Sequence, residues 1–272
     1  MLDTLVLMFS QPFMQRAVFG GIVISVCAAL LGVSLVLKRY SMIGDGLSHV
    51  GFGAVVVASA LNFAPLAVAI PVVVIAAFLL LRLGESSEIK GDAAVALVST
   101  GALAIGVVAS SLTTGMNQDF NSYMFGTILG LSKSDVIVSL AVSIPVLILF
   151  ILFYNRIFAV TFDESFAKAV GVKAGVYNAL VAVLTSLVIV LGMRLMGALL
   201  ISSLVIFPSL TSMRVCKTFR SVVITSGIVS AVCFLFGICA SVLYDLPTGA
   251  SIVISNIVAF VIFWIVGKIK NS

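Results

Sequence analysis

The sequence predicts an all-α fold, a polytopic transmembrane helical bundle, and three observations lead to that prediction. Of its 272 residues, 62% are hydrophobic and only 9% are charged, against about 25% charged residues in soluble domains. The apolar residues form long runs of about 20, enough for a helix to cross a bilayer. Those runs lack the alternation of a membrane β-barrel. No soluble domain interrupts them, so residues 1–272 are predicted to form one transmembrane domain.

Hydropathy along the chain predicts about nine membrane spans, with eight as the alternative. The predicted spans cover residues 17–37, 42–61, 65–82, 91–113, 134–154, 176–192, 195–213, 221–243 and 249–267. Two connections, around residues 62–64 and around Arg194, are so short that the spans on either side must form tight hairpins.

The distribution of basic residues predicts the orientation of these spans. Nine spans place twelve of the fifteen Lys and Arg residues on one side of the membrane and leave Arg16, Lys133 and Arg194 on the other. Basic residues concentrate in cytosolic connections. The N-terminus is therefore expected outside and the C-terminus in the cytosol, in a multi-pass protein of the cell membrane.

The first candidate site lies in the second span, residues 41–53. It contains Asp45 and His49, the only histidine in the chain. On a helix, that spacing places carboxylate and imidazole on one face, one turn apart. Ionisable groups within a membrane are costly and indicate function. Two structural explanations compete: His49 could be a packing histidine hydrogen-bonded to Asp45, or Asp45 could cap the helix.

Four glycines surround this pair, at positions 44, 46, 51 and 53. Each costs about 1 kcal/mol in a helix interior relative to alanine. The stretch is therefore not optimised for local helix stability. Either a close approach of neighbouring helices or a locally opened backbone beside a cavity would account for the glycines.

The connection between residues 114 and 133, outside the membrane in the predicted orientation, carries Asp119. It is too apolar for a free loop, which predicts a short interfacial or re-entrant segment at the outer mouth. Asp119 could attract cations there. It could equally be a solvated or capping acid.

The longest cytosolic connection, residues 155–175, is expected to hold a short helix. Thr161 and Glu164 have the spacing of a capping box, and Gly171 supplies a stop. Three apolar residues recur at helical spacing: Phe162, Phe166 and Val170. This stripe packs either on the protein's own inner helix ends or on a cytosolic partner.

A kink is predicted in the seventh span, where Pro208 releases a backbone carbonyl beside Ser209. A polar, kinked segment can line a transport pathway. Proline kinks are also common in membrane helices, so this signal has a structural explanation as well.

Several functions are excluded by what the sequence lacks. No glycine-rich phosphate loop is present, so the chain is not expected to hydrolyse ATP. One histidine and no HExxH motif exclude the usual zinc protease site. Ser48 and His49 are adjacent and point about 100° apart on a helix, so they cannot form a catalytic dyad.

The net charge of +5 does not indicate nucleic-acid binding, because the basic residues are scattered along the chain. Transport is therefore the predicted class.

The stretch Leu-Lys-Arg-Tyr-Ser-Met-Ile-Gly-Asp-Gly-Leu-Ser-His-Val, residues 37–50, resembles a signature of the ABC-3 family. This family comprises the permease subunits of bacterial ABC transporters for zinc, manganese and iron. Further matches follow in order at Asp119–Leu129, Phe162–Val172, Gly197–Thr211 and Asp245–Ala250. The resemblance covers essentially the whole chain. One departure is Phe52-Gly53, where many members have Pro-Gly or Leu-Gly.

The resemblance implies an assembly. Two copies of the chain would form a homodimer in the lipid membrane, two cytosolic ABC ATPase subunits would bind ATP, and an extracytoplasmic metal-binding protein would deliver the ion. Phe162–Val172 would be the coupling helix, with Asp163 and Glu164 available for polar contacts. Asp45 and His49 match the metal-relay positions. No cofactor would be permanently bound.

Ligand chemistry is consistent with that role. A carboxylate compensates the charge of a dehydrated cation, and a neutral imidazole suits zinc. A two-fold axis could bring a second Asp45–His49 pair to the same ion. The sequence favours Zn²⁺, then Mn²⁺, with Fe²⁺ also compatible. Two alternatives stay open: an ABC permease for a chelated metal or siderophore, and an ATP-independent, ion-coupled secondary transporter.

Overall fold

The structure, a computed structural model, describes residues 10–85, 91–113 and 133–270. Every regular element in these ranges is an α-helix. In chain order the helices are α1 (Pro12–Leu37), α2 (Ser41–Ala60), α3 (Pro65–Glu85), α4 (Gly91–Leu112), α5 (Lys133–Leu152), α6 (Tyr154–Phe162), α7 (Glu164–Ala169), α8 (Ala174–Met196), α9 (Ala198–Met213), α10 (Phe219–Tyr244) and α11 (Thr248–Lys270). The all-α prediction is confirmed.

Eight of the described helices are long and apolar enough to cross a membrane, and α9, with 16 residues, is shorter. At about 1.5 Å per residue, α9 is about 24 Å long, less than the hydrocarbon core of about 30 Å. Its end lies beside the last turn of α11, where a Cβ added to Gly267 would meet the Arg214 carbonyl oxygen at 2.7 Å.

The break predicted near Arg194 is wrong, because α8 continues through this residue to Met196. The Arg194 Nε donates a 2.9 Å hydrogen bond to Asp135 Oδ1 at the start of α5, so the charge is paired within the bundle. The chain turns at Gly197 instead, whose φ of 89° favours glycine. Gly192 packs against Ile201 across the turn, so α8 and α9 form an antiparallel hairpin.

The helices fall into an inner and an outer group. Helices α1, α2 and α8 are mostly buried inside the protein, whereas α3, α4, α5 and α11 expose most of their surface. The outer helices expose large apolar side chains such as Ile105, Ile151 and Trp264, as expected for surfaces that face lipid. The inner helix α2 packs against α3, α4, α8 and α9, which places the predicted site within the bundle.

Serine hydroxyls join three of these helices across the core. On α9, Ser209 Oγ donates to the Ala29 carbonyl of α1 at 3.3 Å, and on α10 Ser226 Oγ donates to the same carbonyl at 3.2 Å. One turn further along α10, Ser230 Oγ donates to the Ser25 carbonyl at 2.9 Å. Small residues with such hydrogen bonds allow membrane helices to approach closely.

The connection between α5 and α8 differs from its prediction in two details. The helix is not continuous, because Asp163 is extended and separates α6 from α7. The predicted capping box of Thr161 and Glu164 is also wrong: Asp163 is the N-cap, and its carboxylate accepts a 2.8 Å hydrogen bond from the Phe166 N–H. A carboxylate there is well suited to the positive end of a helix. The stop at Gly171 is confirmed by its φ of 83°.

Candidate functional site

The glycines of α2 let neighbouring helices approach closely. A Cβ added to Gly53 would lie 2.5 Å from the Ala102 carbonyl oxygen of α4, and one added to Gly46 would meet Val95 at 2.6 Å. On another face of α2, Gly44 packs against a residue of α9. The helix itself is unbroken from Ser41 to Ala60. Of the two explanations for these glycines, close packing is confirmed and an opened backbone is wrong.

Asp45 and His49 lie one turn apart on α2, as predicted. The His49 Nε2 and Asp45 Oδ2 atoms are 3.7 Å apart, which is beyond hydrogen-bond distance. The His49 Nδ1 is buried and has no hydrogen-bond partner in the described part of the chain. The histidine therefore lacks the hydrogen bond to Asp45 that the packing explanation assumes.

Asp45 is also not a helix cap. The helix begins at Ser41 after Tyr40, so Asp45 already lies in the second turn. Its side chain is 41% exposed and that of His49 is 23% exposed. Both ionisable groups are thus accessible from outside this chain while attached to a largely buried helix.

The position of the pair on α2 follows from helical geometry. One face of the helix packs on α4 through Gly46 and Gly53, and another packs on α9. Asp45 and His49 lie on the strip between these faces. Further along the same strip, Phe52 and Val56 are fully buried. The strip that carries the pair is therefore accessible near the start of α2 and buried towards its end.

This arrangement can hold a cation, but two ligands do not complete a site. With bonds of about 2.0–2.1 Å, two ligands of a tetrahedral zinc are about 3.3 Å apart, so a small side-chain movement from 3.7 Å would bring both onto one ion. The described residues contain no group of three or more His, Cys, Asp or Glu suited to a metal. Further ligands would come from water, from another chain or from residues outside the described ranges.

The remaining predicted pathway residues lie elsewhere. Pro208 is inside α9 and buried, and Ser209 is fully buried with its hydroxyl directed at α1. Neither is brought next to the Asp45–His49 pair. Asp119 lies outside the described residues. Ser48, whose hydroxyl lies 3.1 Å from that of Ser202 on α9, points away from His49, in line with the exclusion of a dyad.

The apolar stripe predicted between residues 155 and 175 is present and faces away from the protein. Phe162 is 60% exposed, Phe166 is 62% exposed and Val170 is 57% exposed. Phe162 contacts the rings of Phe158 and Phe219. The opposite face of α7 is anchored by Ala167, which is buried. The stripe is thus available to a partner.

Glu164 on α7 connects to residues that the sequence analysis missed. Its Oε1 lies 2.8 Å from Lys168 Nζ. Its Oε2 accepts a 3.0 Å hydrogen bond from Asn178 Nδ2 and lies 3.6 Å from Lys38 Nζ. The hydrogen bonds from Lys168 and Asn178 lower the pKa of the Glu164 carboxyl below its ordinary value. Lys38 and Asn178 are 140 residues apart, and no sequence pattern indicates that they meet.

Comparison with protein families gives one match over nearly the whole chain. The model of the ABC 3 transport family matches residues 10–267.

Individual relatives support the same assignment. The high-affinity zinc uptake system membrane protein ZnuB of Haemophilus influenzae is 30% identical over 246 residues, covering 90% of this chain and 94% of that protein. The manganese import system permease protein ScaB of Streptococcus gordonii is 28% identical over 257 residues, covering 94% and 92%. Among solved structures, PsaBC from Streptococcus pneumoniae in complex with Fab matches with a TM-score of 0.87 and 26% identity, covering 97% of this chain and 95% of that one.

Proposed function

The chain belongs to the ABC 3 transport family, and we propose that it is the membrane permease of an ATP-driven importer that carries a divalent metal ion into a bacterial cell. It is a transport subunit and not an ATPase. The observation that carries the proposal is the Asp45–His49 pair, an acid and an imidazole on a buried helix that do not hydrogen-bond each other.

The pair is suited to passing on a cation rather than retaining it. A bare divalent ion in a low-dielectric passage needs opposite charge, which the Asp45 carboxylate supplies. The His49 imidazole adds a nitrogen ligand. Two ligands bind weakly enough to release the ion, and conduction requires release as well as entry. We propose that a second copy of the chain places its own pair opposite the first, giving four ligands in a transient site.

Zinc is the favoured substrate and manganese the next. An imidazole and one carboxylate form a ligand set that suits zinc, whereas manganese also accepts sets made only of oxygen ligands. Relatives named for zinc and for manganese are about equally similar to this chain. Because affinity alone does not select among first-row metals in cells, a direct comparison of ions is needed.

The partners follow from the surfaces at the two ends of the bundle. We propose that the exposed stripe of Phe162, Phe166 and Val170 docks into an ABC ATPase subunit. That places α7 and the C-terminus in the cytosol and the N-terminus outside. A metal-binding protein would deliver the ion at the outer end, where Asp119 would attract it.

The test is metal uptake by liposomes that contain the permease with its ATPase and metal-binding protein. We expect ATP-dependent uptake of zinc in preference to manganese and ferrous iron. His49→Ala should lower it by at least about tenfold, since 1.4 kcal/mol of lost ion binding is already a factor of ten. Ser59→Ala, near the other end of α2, is the matched control and should retain uptake.

Three results would contradict the proposal. Uptake without ATP would indicate a secondary transporter. Uptake of a chelated metal but not of the free ion would indicate the chelate permease. Full uptake by His49→Ala would remove the pair from the pathway.

A further inference from the structure

We infer that Lys38 and Asn178 are positioning residues that fasten α7 to the turn entering α2, so that movement of the ATPase reaches the metal pair. The inference rests on the proposed function, since it assumes that α7 docks the ATPase and that α2 carries the ion-binding pair. Lys38, Glu164 and Asn178 are called the clamp below.

The three side chains of the clamp contact one another pairwise. Asn178 Nδ2 donates to Glu164 Oε2 at 3.0 Å, and Lys38 Nζ lies 3.6 Å from the same oxygen. Lys38 Nζ also donates to Asn178 Oδ1. The amide therefore gives one hydrogen bond and receives another, and the carboxylate faces both the amide and the ammonium group. Hydrogen bonds that involve a charged group are stronger than neutral ones.

Each member of the clamp belongs to a different part of the fold. Lys38 is the C-cap of α1, Glu164 is the first residue of α7, and Asn178 lies in the first turns of α8. A six-residue helix is too short to be stable alone. The position of α7 is therefore set by what holds it, and the clamp joins it to two long helices.

The clamp lies beside the turn that leads into α2, the helix that carries the Asp45–His49 pair. After Lys38 the chain makes a tight turn, with Arg39 in the left-handed region at φ 62° and the Tyr40 N–H bonded to the Leu35 carbonyl at 2.8 Å. Helix α2 then begins at Ser41 and continues unbroken past Asp45 and His49. A displacement of this turn would move the pair, because a continuous helix transmits displacement along its axis.

The space behind the clamp permits such movement. A cavity of about 30 Å³ is lined by Lys38, Tyr40 and Asn178 together with residues of α2, α3 and α6. The buried hydroxyls of Ser34 and Thr185 also line it, and neither has a hydrogen-bond partner in the described part of the chain. The region between the clamp and the core is therefore not close-packed, unlike the glycine contacts of α2.

The experiment measures zinc uptake and ATP hydrolysis in the same proteoliposomes. In Lys38→Met and in Asn178→Ala we expect uptake per ATP hydrolysed to fall about fivefold or more, the lower end of usual coupling between sites. Hydrolysis itself should change by less than about twofold, because α7 keeps its exposed docking stripe. Lys38→Arg retains the charge and should recover most of the coupling.

Two further variants test whether the residues act together. The double variant Lys38→Met/Asn178→Ala should be no worse than either single one, as expected for members of one contact network. Lys173→Met removes an exposed lysine at the same end of the bundle and should keep wild-type coupling.

The outcomes separate this inference from the proposed function. ATP-independent uptake by the wild type would overturn the proposed function. Wild-type coupling in Asn178→Ala, with ATP-driven uptake intact, would overturn the clamp alone. So would loss of the ATPase subunit from the purified Lys38→Met and Asn178→Ala complexes, because the residues would then serve assembly. If Lys38→Met does not fold, the coupling measured for Asn178→Ala tests the inference alone.

Discussion

Two groups of polar side chains lie in the same bundle and differ in how their polar atoms are satisfied. The serines between α1, α9 and α10, among them Ser209 and Ser230, donate to backbone carbonyls of α1 and are fully buried. Asp45 and His49 remain 3.7 Å apart and partly exposed, with the His49 Nδ1 unpartnered among the described residues. A buried polar group without a partner costs about 1–3 kcal/mol.

Under the function we propose, this difference distinguishes structural polar groups from functional ones. The serine hydroxyls use their hydrogen bonds to hold helices together. The acid and the imidazole make no side-chain hydrogen bond to each other, and the His49 Nδ1 has no partner among the described residues, which leaves ligand atoms for a cation. Polarity in the sequence alone did not fully separate the two groups, because Ser209 next to Pro208 was also a candidate for lining a pathway, although a weaker one than Asp45 with His49.

The largest expected effect compares one member of each group. Asp45→Asn keeps the size of the side chain and removes its charge, so metal uptake should fall by at least about tenfold. Ser209→Ala removes a helix-joining hydroxyl, so uptake should change by less than about twofold while the free energy of unfolding falls by about 1 kcal/mol. Radiolabelled zinc uptake and thermal unfolding in detergent check both. Equal losses of uptake in the two variants would contradict the distinction between structural serines and the metal-binding pair.

An intermediate effect concerns the close packing that supports the pair. Gly53→Ala would place a Cβ 2.5 Å from the Ala102 carbonyl oxygen, and backbone cannot yield as a side chain can. We expect a loss of about 1–3 kcal/mol in stability, measured by thermal unfolding. Gly101→Ala on α4, with open space at its Cβ, is the matched control and should be neutral or slightly stabilising. A stable Gly53→Ala variant would show that α2 and α4 separate easily.

The smallest effect concerns the Glu164 carboxyl, which lies outside the membrane helices. Lys168 and Asn178 lower the pKa of Glu164 below its ordinary value of 4.5, so the folded carboxyl binds its proton less tightly than the unfolded one. Its contribution to stability is complete above that ordinary value and disappears as the pH falls through the lowered pKa.

Wild type should therefore melt higher than Glu164→Gln at pH 7, by no more than about 3 °C for such an exposed ion pair. The difference should shrink below about pH 4. A difference that is independent of pH would mean that the carboxylate charge contributes nothing to stability.

Much of the fold could be predicted because hydropathy is local. Continuous apolar runs predicted each long helix in its place, and the i, i+4 spacing predicted that Asp45 and His49 share a face. The errors arose where a distant residue decides the outcome. Arg194 was predicted to lie in the turn between two spans, but it lies within α8, where it pairs with Asp135, and the turn comes at Gly197. Asp163 caps α7, although Thr161 had the expected spacing.

The sequence by itself determined the class of protein, its helices and the shared helix face of Asp45 and His49, the pair that we propose binds a cation, because composition and helical periodicity depend only on neighbouring residues. Only the tertiary structure decided that Ser209 is used in packing, that the Phe166 stripe faces outward and that Lys38 meets Asn178. These facts depend on which helices become neighbours, and in a bundle of similar apolar helices that choice is made by close packing and by a few polar contacts between residues far apart in the chain.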